Sequence, residues 1–152
     1  MADIESSLAE CDIEAGRPEA FVWEWGRRGI DRSSGYPSLA DAQACLREDT
    51  VAVGIARVTT ASGGGVVAGF SWVGSRAPVA VKARFMAQGP EAVSVLRGRS
   101  HCFLELHRLA ASPAAGDGLA PLSARVLLAH YSKVHADAAL DGIAPAPIGR
   151  RA

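Results

Sequence analysis

Histidine and cysteine side chains cluster near position 101, where they could bind a metal ion or form a nucleophilic pair. His101 and Cys102 are adjacent and His107 follows them closely, and imidazole and thiolate groups are common zinc ligands. The surrounding residues predict a β-strand, however, in which neighbouring side chains point to opposite faces. No fourth ligand has a matching spacing, and no sequence signature supports a cysteine–histidine nucleophile. The sequence therefore predicts no metal site here.

A second candidate for chemistry is the glycine-rich run Ser62–Gly65. Phosphate-binding loops are also rich in glycine, but they connect a strand to a helix and lie at the start of that helix. This run connects two predicted strands and opens no helix. The sequence supports neither a metal site, nor a cysteine–histidine nucleophile, nor a phosphate-binding loop. We therefore expect that the protein is not an enzyme and uses no cofactor.

Basic residues concentrate between positions 76 and 108, where six bases accompany two acids. Lys82 and Arg84 fall in the first turns of a predicted helix, although two residues apart they point about 200° apart on an ideal helix. Phe85 and Met86 follow, and we expect one in the core and the other as an exposed apolar anchor, since interfaces favour aromatics and methionine. A solvated helix face is the alternative. The six bases are Arg76, Lys82, Arg84, Arg97, Arg99 and Arg108.

The net charge of the chain is zero, but its distribution is uneven. Residues 1–49 hold eleven acids and five bases, a net charge of −6, and residues 50–152 hold five acids and eleven bases, a net charge of +6. Such a distribution can steer an acidic partner to one side of the molecule. Chance is the alternative explanation. Arg97 and Arg99, at the far end of the helix, favour the helix dipole whatever the function.

Length and composition indicate one globular domain with a substantial core. We place this domain at residues 1–140 and expect a disordered tail at residues 141–152, which is rich in proline and glycine. No run approaches the ~20 apolar residues of a membrane helix, and the acidic N-terminus is unlike a signal peptide. Three cysteines without paired spacing indicate free thiols in a reducing compartment. We therefore expect a cytoplasmic monomer with neither a membrane nor a nucleic acid as partner.

Hydrophobic periodicity and turn signals predict an α/β (α+β) fold, in which helices sandwich a central mixed β-sheet. The helix at 78–97 opens with Pro78 and carries Gly89-Pro90 in its middle, so we expect it to be kinked. The segments 26–37 and 110–117 are predicted as a loop and a linker. The predicted elements are helix 4–15, strand 21–25, helix 38–46, strand 50–60, strand 66–73, helix 78–97, strand 101–106 and helix 121–140.

The strand Phe70–Gly74 and the basic pair Lys82-Ala83-Arg84 in the following helix resemble the actin-depolymerising-factor homology fold. Within that family the chain is most similar to the coactosin branch, because its strand ends in tryptophan, an aliphatic residue and glycine. The resemblance extends back through Ala20–Trp23 and Thr50–Thr60. It covers roughly residues 1–110 in order and in spacing.

The resemblance implies a cytoskeletal protein that binds actin, filaments in preference to monomers, without catalysis. In that family the long helix docks into an acidic cleft of actin, and the basic pair at its start contacts the partner. Lys82 and Arg84 match this pair. The remaining candidate actin-binding residues are Arg76, Phe85, Met86, Arg97 and Arg99.

The chain departs from the coactosin pattern in the loop before the Phe70 strand. Coactosins carry a lysine-rich tip there that is implicated in filament binding, whereas this chain has Gly63-Gly64-Gly65-Val66-Val67. A filament contact on this side would depend on Arg57, Arg76 or the helix. Two alternatives therefore stay open: a cofilin-like protein that binds monomers and severs filaments, and an adaptor that binds a partner other than actin.

Overall fold

The computed structural model describes residues 2–13, 18–60, 63–107 and 122–134 of the chain. The helices and strands of these residues follow one another in the order that the sequence predicts, with one added strand. In chain order the elements are α1 Ala2–Glu10, β1 Ala20–Gly26, β2 Gly29–Tyr36, α2 Leu39–Cys45, β3 Val51–Thr59, β4 Gly65–Val73, α3 Val79–Arg97, β5 Cys102–Glu105 and α4 Ala124–Val134.

The strands form one sheet in the order β2-β1-β3-β4-β5. The neighbours are antiparallel except β4 and β5, which run parallel with Ala68 opposite Cys102. Parallel neighbours require a crossover from the end of one strand to the start of the next. Helix α3 is this crossover, and the predicted mixed sheet is confirmed.

Alternating side chains on the strands build two cores, one on each face of the sheet. Phe70 and Trp72 of β4 lie in the core that includes Ala42 of α2 and Leu127 of α4. We call this side the α2/α4 face.

The opposite side, the α1/α3 face, contains Trp23 and Ile55 from the sheet together with Ile4 of α1 and Leu96 of α3. Phe21, Trp23 and Trp25 all belong to this face, as the alternation in the first strand predicts. Both faces are thus covered by helices, and the predicted sandwich is confirmed.

Helix α3 is continuous from Val79 to Arg97 and contains Pro90. Pro78 precedes it with φ −59°, a value already close to helical, which suits proline at a helix start. A Cβ atom at Gly89 would lie 2.8 Å from the ring of Phe85, so the glycine makes room for that ring on the buried side. The bend at Gly89-Pro90 stays a prediction.

The segment 26–37, predicted as a loop, instead contains the edge strand β2. Its backbone pairs with β1 through a tight turn that places Gly26 opposite Gly29. The prediction was wrong because Ser33-Ser34-Gly35 has turn-like composition. Pairing with a well-anchored neighbour outweighs such propensities, and an edge strand needs few apolar residues of its own.

Smaller differences concern the helix ends. Helix α1 begins at Ala2 and ends at Glu10, so it starts and ends earlier than the predicted helix 4–15. Helix α2 is capped by Ser38, whose Oγ accepts a hydrogen bond of 3.2 Å from the Asp41 amide. The linker 110–117, the ends of the predicted helix 121–140 and the tail 141–152 lie outside the described residues, so the domain boundary at 140 stays a prediction.

Trp72 fills the α2/α4 face and fixes the turn before β3. Its side chain is buried, and its indole Nε1 donates a hydrogen bond of 2.8 Å to the carbonyl of Arg47. We predict that Trp72→Ala lowers the free energy of unfolding by about 3–5 kcal/mol, as other aromatic truncations in cores do. Urea unfolding followed by circular dichroism measures this loss. Trp72→Phe keeps most of the apolar volume and should cost less, whereas an unchanged midpoint for Trp72→Ala would contradict its place in the core.

Two histidines join the last strand to its neighbours. His101 Nδ1 accepts a hydrogen bond of 3.0 Å from the Val67 amide, which requires this nitrogen to be unprotonated. His130 Nε2 lies 3.1 Å from the carbonyl of Phe103. Because a carbonyl can only accept, the imidazole Nε2–H of His130 on α4 donates this hydrogen bond to β5. Burial lowers the pKa of His130 below its ordinary value of 6.5, against the opposing effect of the Phe103 carbonyl.

Acid should therefore destabilise the fold. The unfolded chain, whose His130 has the ordinary pKa, binds more protons than the folded chain, so stability is complete above about pH 6.5 and falls below it. We predict a lower urea midpoint at pH 5.5 than at pH 7.5. In His130→Gln, which keeps a donor but cannot titrate, the difference between the two pH values should shrink. Equal pH dependence in both proteins would exclude His130 as a cause.

Candidate functional site

The outward face of α3 exposes large apolar side chains that a structural helix would ordinarily bury. Val79 is 82% exposed and Met86 is 77% exposed, and the third exposed large hydrophobic residue among those described, Val134, lies on α4 at 53%. Helical periodicity places Val79, Ala83, Met86 and Pro90 on one stripe, and all four are exposed. This stripe, which we call the α3 stripe, is an apolar surface without a partner inside the described part of the chain.

The opposite side of α3 holds the helix on the sheet. Val81, Ala92 and Leu96 are buried in the core of the α1/α3 face. The ring of Phe85 packs edge-on against Trp25 with 5.1 Å between the ring centroids. Phe85 is thus the core member of the pair with Met86 and Met86 the exposed one, which is the division that the sequence predicts. Phe85 is half-buried and also lines the groove beside α3, so it can contact a partner only through the part of its ring that the groove exposes.

The start of α3 is fixed by the turn that follows β4. A Cβ atom at Gly74 would collide with the carbonyl of Glu48, so this position requires glycine. The amide of Arg76 donates a hydrogen bond of 2.7 Å to that carbonyl. The Arg76 guanidinium forms an ion pair with the Glu48 carboxylate at 3.4 Å, with both side chains mostly exposed. An exposed pair contributes little to stability, so Arg76 can exchange Glu48 for an acidic group of a partner.

Lys82 lies beside the α3 stripe, whereas Arg84 lies further around the helix on the other side, so the two do not form one cationic group. Lys82 is half-buried and Arg84 is exposed. Arg84 Nε donates a hydrogen bond of 3.1 Å to the carbonyl of Arg27, in the turn between β1 and β2. The structure thus separates Lys82 from Arg84, which the sequence groups as one pair. It also places Arg84 beside the turn between β1 and β2, which nothing in the sequence connects with α3.

An open groove of about 400 Å³ runs along the other border of the α3 stripe, between α3 and the strands β4 and β5. Met86, Pro90, Val93 and Phe103 are among the apolar residues that line it. Arg97 closes one end, with its guanidinium carbon 5.1 Å from the centre of the Phe103 ring. The groove widens the apolar surface that a partner could cover.

The glycine loop between β3 and β4 lies at the end of the sheet where α3 finishes, because α3 returns the chain to the start of β5. Thr60 closes this loop: its Oγ1 accepts a hydrogen bond of 3.0 Å from the Gly64 amide. The guanidinium of Arg57 lies against Gly65, where a Cβ atom would be 2.7 Å from Arg57 Nε. Arg57 and the exposed Arg99 are therefore the positive charges near this end, in place of lysines at the tip.

The histidine and cysteine residues near position 101 serve the fold. Cys102 is buried in the α2/α4 core, and burial raises the pKa of its thiol to about 11, so the thiol is protonated at neutral pH and is a poor nucleophile. His101 is held by the Val67 amide. Among residues 2–13, 18–60, 63–107 and 122–134, no group of three histidine, cysteine or acidic side chains could hold a metal ion.

Neither a protein-family profile nor a curated protein sequence matches this chain. Solved structures do match it. Mouse coactosin, described as an actin filament binding protein, superposes with a TM-score of 0.66 at 12% identity, over 90% of this chain and 95% of that one. Cofilin from Streptomyces griseoflavus gives 0.61 at 14% identity, over 87% and 94%. Coactosin from Entamoeba histolytica gives 0.55 at 18% identity, over 78% and 82%.

The chain has the actin-depolymerising-factor homology fold. At these identities the likeness establishes the architecture, and it confirms the fold expected from the residues around Trp72. Within the described residues, no helix has the length and apolar character needed to cross a membrane.

Proposed function

We propose that this protein binds actin through the α3 stripe and its borders, without catalysis, as a cytoskeletal regulator of the coactosin type. The observation that carries the proposal is the exposure of Val79 and Met86 on the crossover helix. The shared fold supports it, since a structure similar in fold over nearly its whole length is an actin filament binding protein.

The composition of this surface suits a partner with an apolar cleft in acidic surroundings. The α3 stripe supplies apolar contacts, and burying one such side chain contributes about 1.5–3 kcal/mol. Lys82 and Arg84 flank it, and Arg76 and Arg97 lie near its two ends. Basic groups at the rim of an interface mainly raise the association rate and make binding sensitive to salt.

A preference for filaments over monomers is part of this proposal. Filament contacts need a second surface besides the helix, and Arg57 and Arg99, near the end of α3, are the candidates because the loop tip carries glycine. The uncharged tip is also the observation that favours the second candidate function, an adaptor that keeps the fold and binds a protein other than actin.

We predict that the wild-type chain pellets with filamentous actin and that Val79→Ser/Met86→Ser binds more than ten-fold more weakly, a loss of about 1.4 kcal/mol or more. Both residues are exposed, so the double variant should fold normally and could gain solubility. Co-sedimentation at increasing actin concentration measures the affinity, and a fluorescence assay with monomeric actin measures the preference.

Val134→Ser is the matched control, since it removes an exposed apolar side chain from α4. Val134 lines a pocket with Arg97, at the opposite end of α3 from Val79, so the control leaves Val79 and Met86 unchanged. It should bind as the wild type does. A wild-type chain that stays in the supernatant at every actin concentration would favour the adaptor. Equal losses in the control and in the α3 double variant would exclude a special role for the α3 stripe.

A further inference from the structure

The turn between β1 and β2 presents two consecutive arginines to solvent. Arg27 and Arg28 are both exposed, and they form the whole of the two-residue connection between Gly26 and Gly29. Neither arginine has a positive φ; the chain reverses with the help of Gly29, whose φ is +132°. The turn therefore needs the glycine for its geometry, whereas the two arginine side chains are free of any role in shaping it.

This turn is held against α3 on both of its sides. Before the turn, Trp25 Nε1 donates a hydrogen bond of 3.1 Å to Gln88 Oε1. At the turn itself, the carbonyl of Arg27 accepts from Arg84 Nε at 3.1 Å. After it, Gly29 lies against the Gln88 amide group, where a Cβ atom would be 3.1 Å from Oε1. The turn is thus held against the side of α3 that carries Arg84 and Gln88.

Three arginines consequently come together on the side of α3 that faces this turn, and we call Arg27, Arg28 and Arg84 the arginine patch. No ion pair compensates any of the three among the described residues. Arg32 on the same hairpin differs, because its guanidinium pairs with Glu24 at 3.0 Å. Like charges placed together repel one another and do not help the fold. The carboxylate of Asp31 lies beside Gly26, but it forms no ion pair with any of the three. The arrangement therefore needs an explanation outside the folded chain.

We propose that the arginine patch is a second contact site for the same protein partner, and that it binds an acidic segment beside the cleft that receives α3. This inference rests on the proposed function and extends it to a turn outside α3. Arginine suits such a role, since its planar guanidinium binds carboxylates through two parallel hydrogen bonds.

The surroundings favour a protein over a polyanion as the occupant. The patch and the apolar α3 stripe both lie on the exposed side of α3, and surfaces that combine apolar anchors with arginine are typical of protein interfaces. The calculated isoelectric point of the chain is about 6.9, whereas nucleic-acid-binding domains are usually strongly basic.

The test replaces the two turn arginines and leaves Gly29 and α3 intact. Arg27→Gln/Arg28→Gln should weaken binding to filamentous actin five- to ten-fold at low salt and reduce the salt dependence of the affinity, with unchanged thermal unfolding. Arg27→Lys/Arg28→Lys keeps the charge but cannot form the two parallel hydrogen bonds, so it should recover only part of the affinity. Arg125→Gln/Lys133→Gln is the matched control, since it removes two exposed charges from α4 on the opposite face, and it should bind like the wild type.

The outcomes separate this inference from the proposed function. If the turn variant binds actin like the wild type while Val79→Ser/Met86→Ser does not, the arginine patch is overturned and the function of the α3 stripe stands. If turn and control variants lose affinity equally, the effect is diffuse electrostatics and the patch is again overturned. Binding to vesicles of phosphatidylcholine and phosphatidylserine is measured for the same variants. If the turn variant loses binding to these vesicles but not to actin, the patch contacts a membrane, and the proposed protein contact is contradicted. A wild-type chain that never pellets with actin overturns both proposals.

Discussion

The parallel pairing of β5 with β4 is the constraint on which the rest of the structure depends. The two strands run in the same direction, with Ala68 opposite Cys102 and Ser71 opposite Glu105, so the chain must return along the sheet between them. Helix α3 makes this return across the α1/α3 face. One side of the helix is buried against the sheet, and no other element covers the stripe of Val79 and Met86 within the described residues. A further element packed on this stripe would bury more apolar surface and stabilise the domain, but α3 would then present no docking surface.

Contacts on the buried side determine what the exposed side can present. The edge-on packing of Phe85 on Trp25 sets the rotation of α3 about its axis, and this rotation directs Met86 to solvent. The same strand continues into the turn of Arg27 and Arg28, so the helix and the turn are positioned by one set of contacts. The contacts therefore fix the helix and the turn relative to each other. We expect a partner to bind this surface without rearrangement of a loop.

Much of this architecture is predictable from the sequence because the strongest signals are local. Nearly continuous apolar runs identify β3 and β4 as central strands. Pro78 marks the start of α3, and one of Phe85 and Met86 must face outward. Two features are not predictable in this way. Strand β2 is formed by pairing with β1 and lacks an apolar pattern of its own. Arg84 joins the turn at Arg27 through a contact between distant parts of the chain, so the spacing of Lys82 and Arg84 gives their directions on the helix but not their neighbours.

On the proposals made here, α3 and the β1–β2 turn together form the surface that meets actin. Amide hydrogen exchange, measured on the full chain with and without filamentous actin, is the sharpest test because it reports on every segment at once. We expect slower exchange in peptides that cover Val79–Pro90 and Trp25–Gly29 when filaments are present, with no change in α4. Protection confined to α4, or no protection anywhere in the presence of filaments, would contradict these proposals.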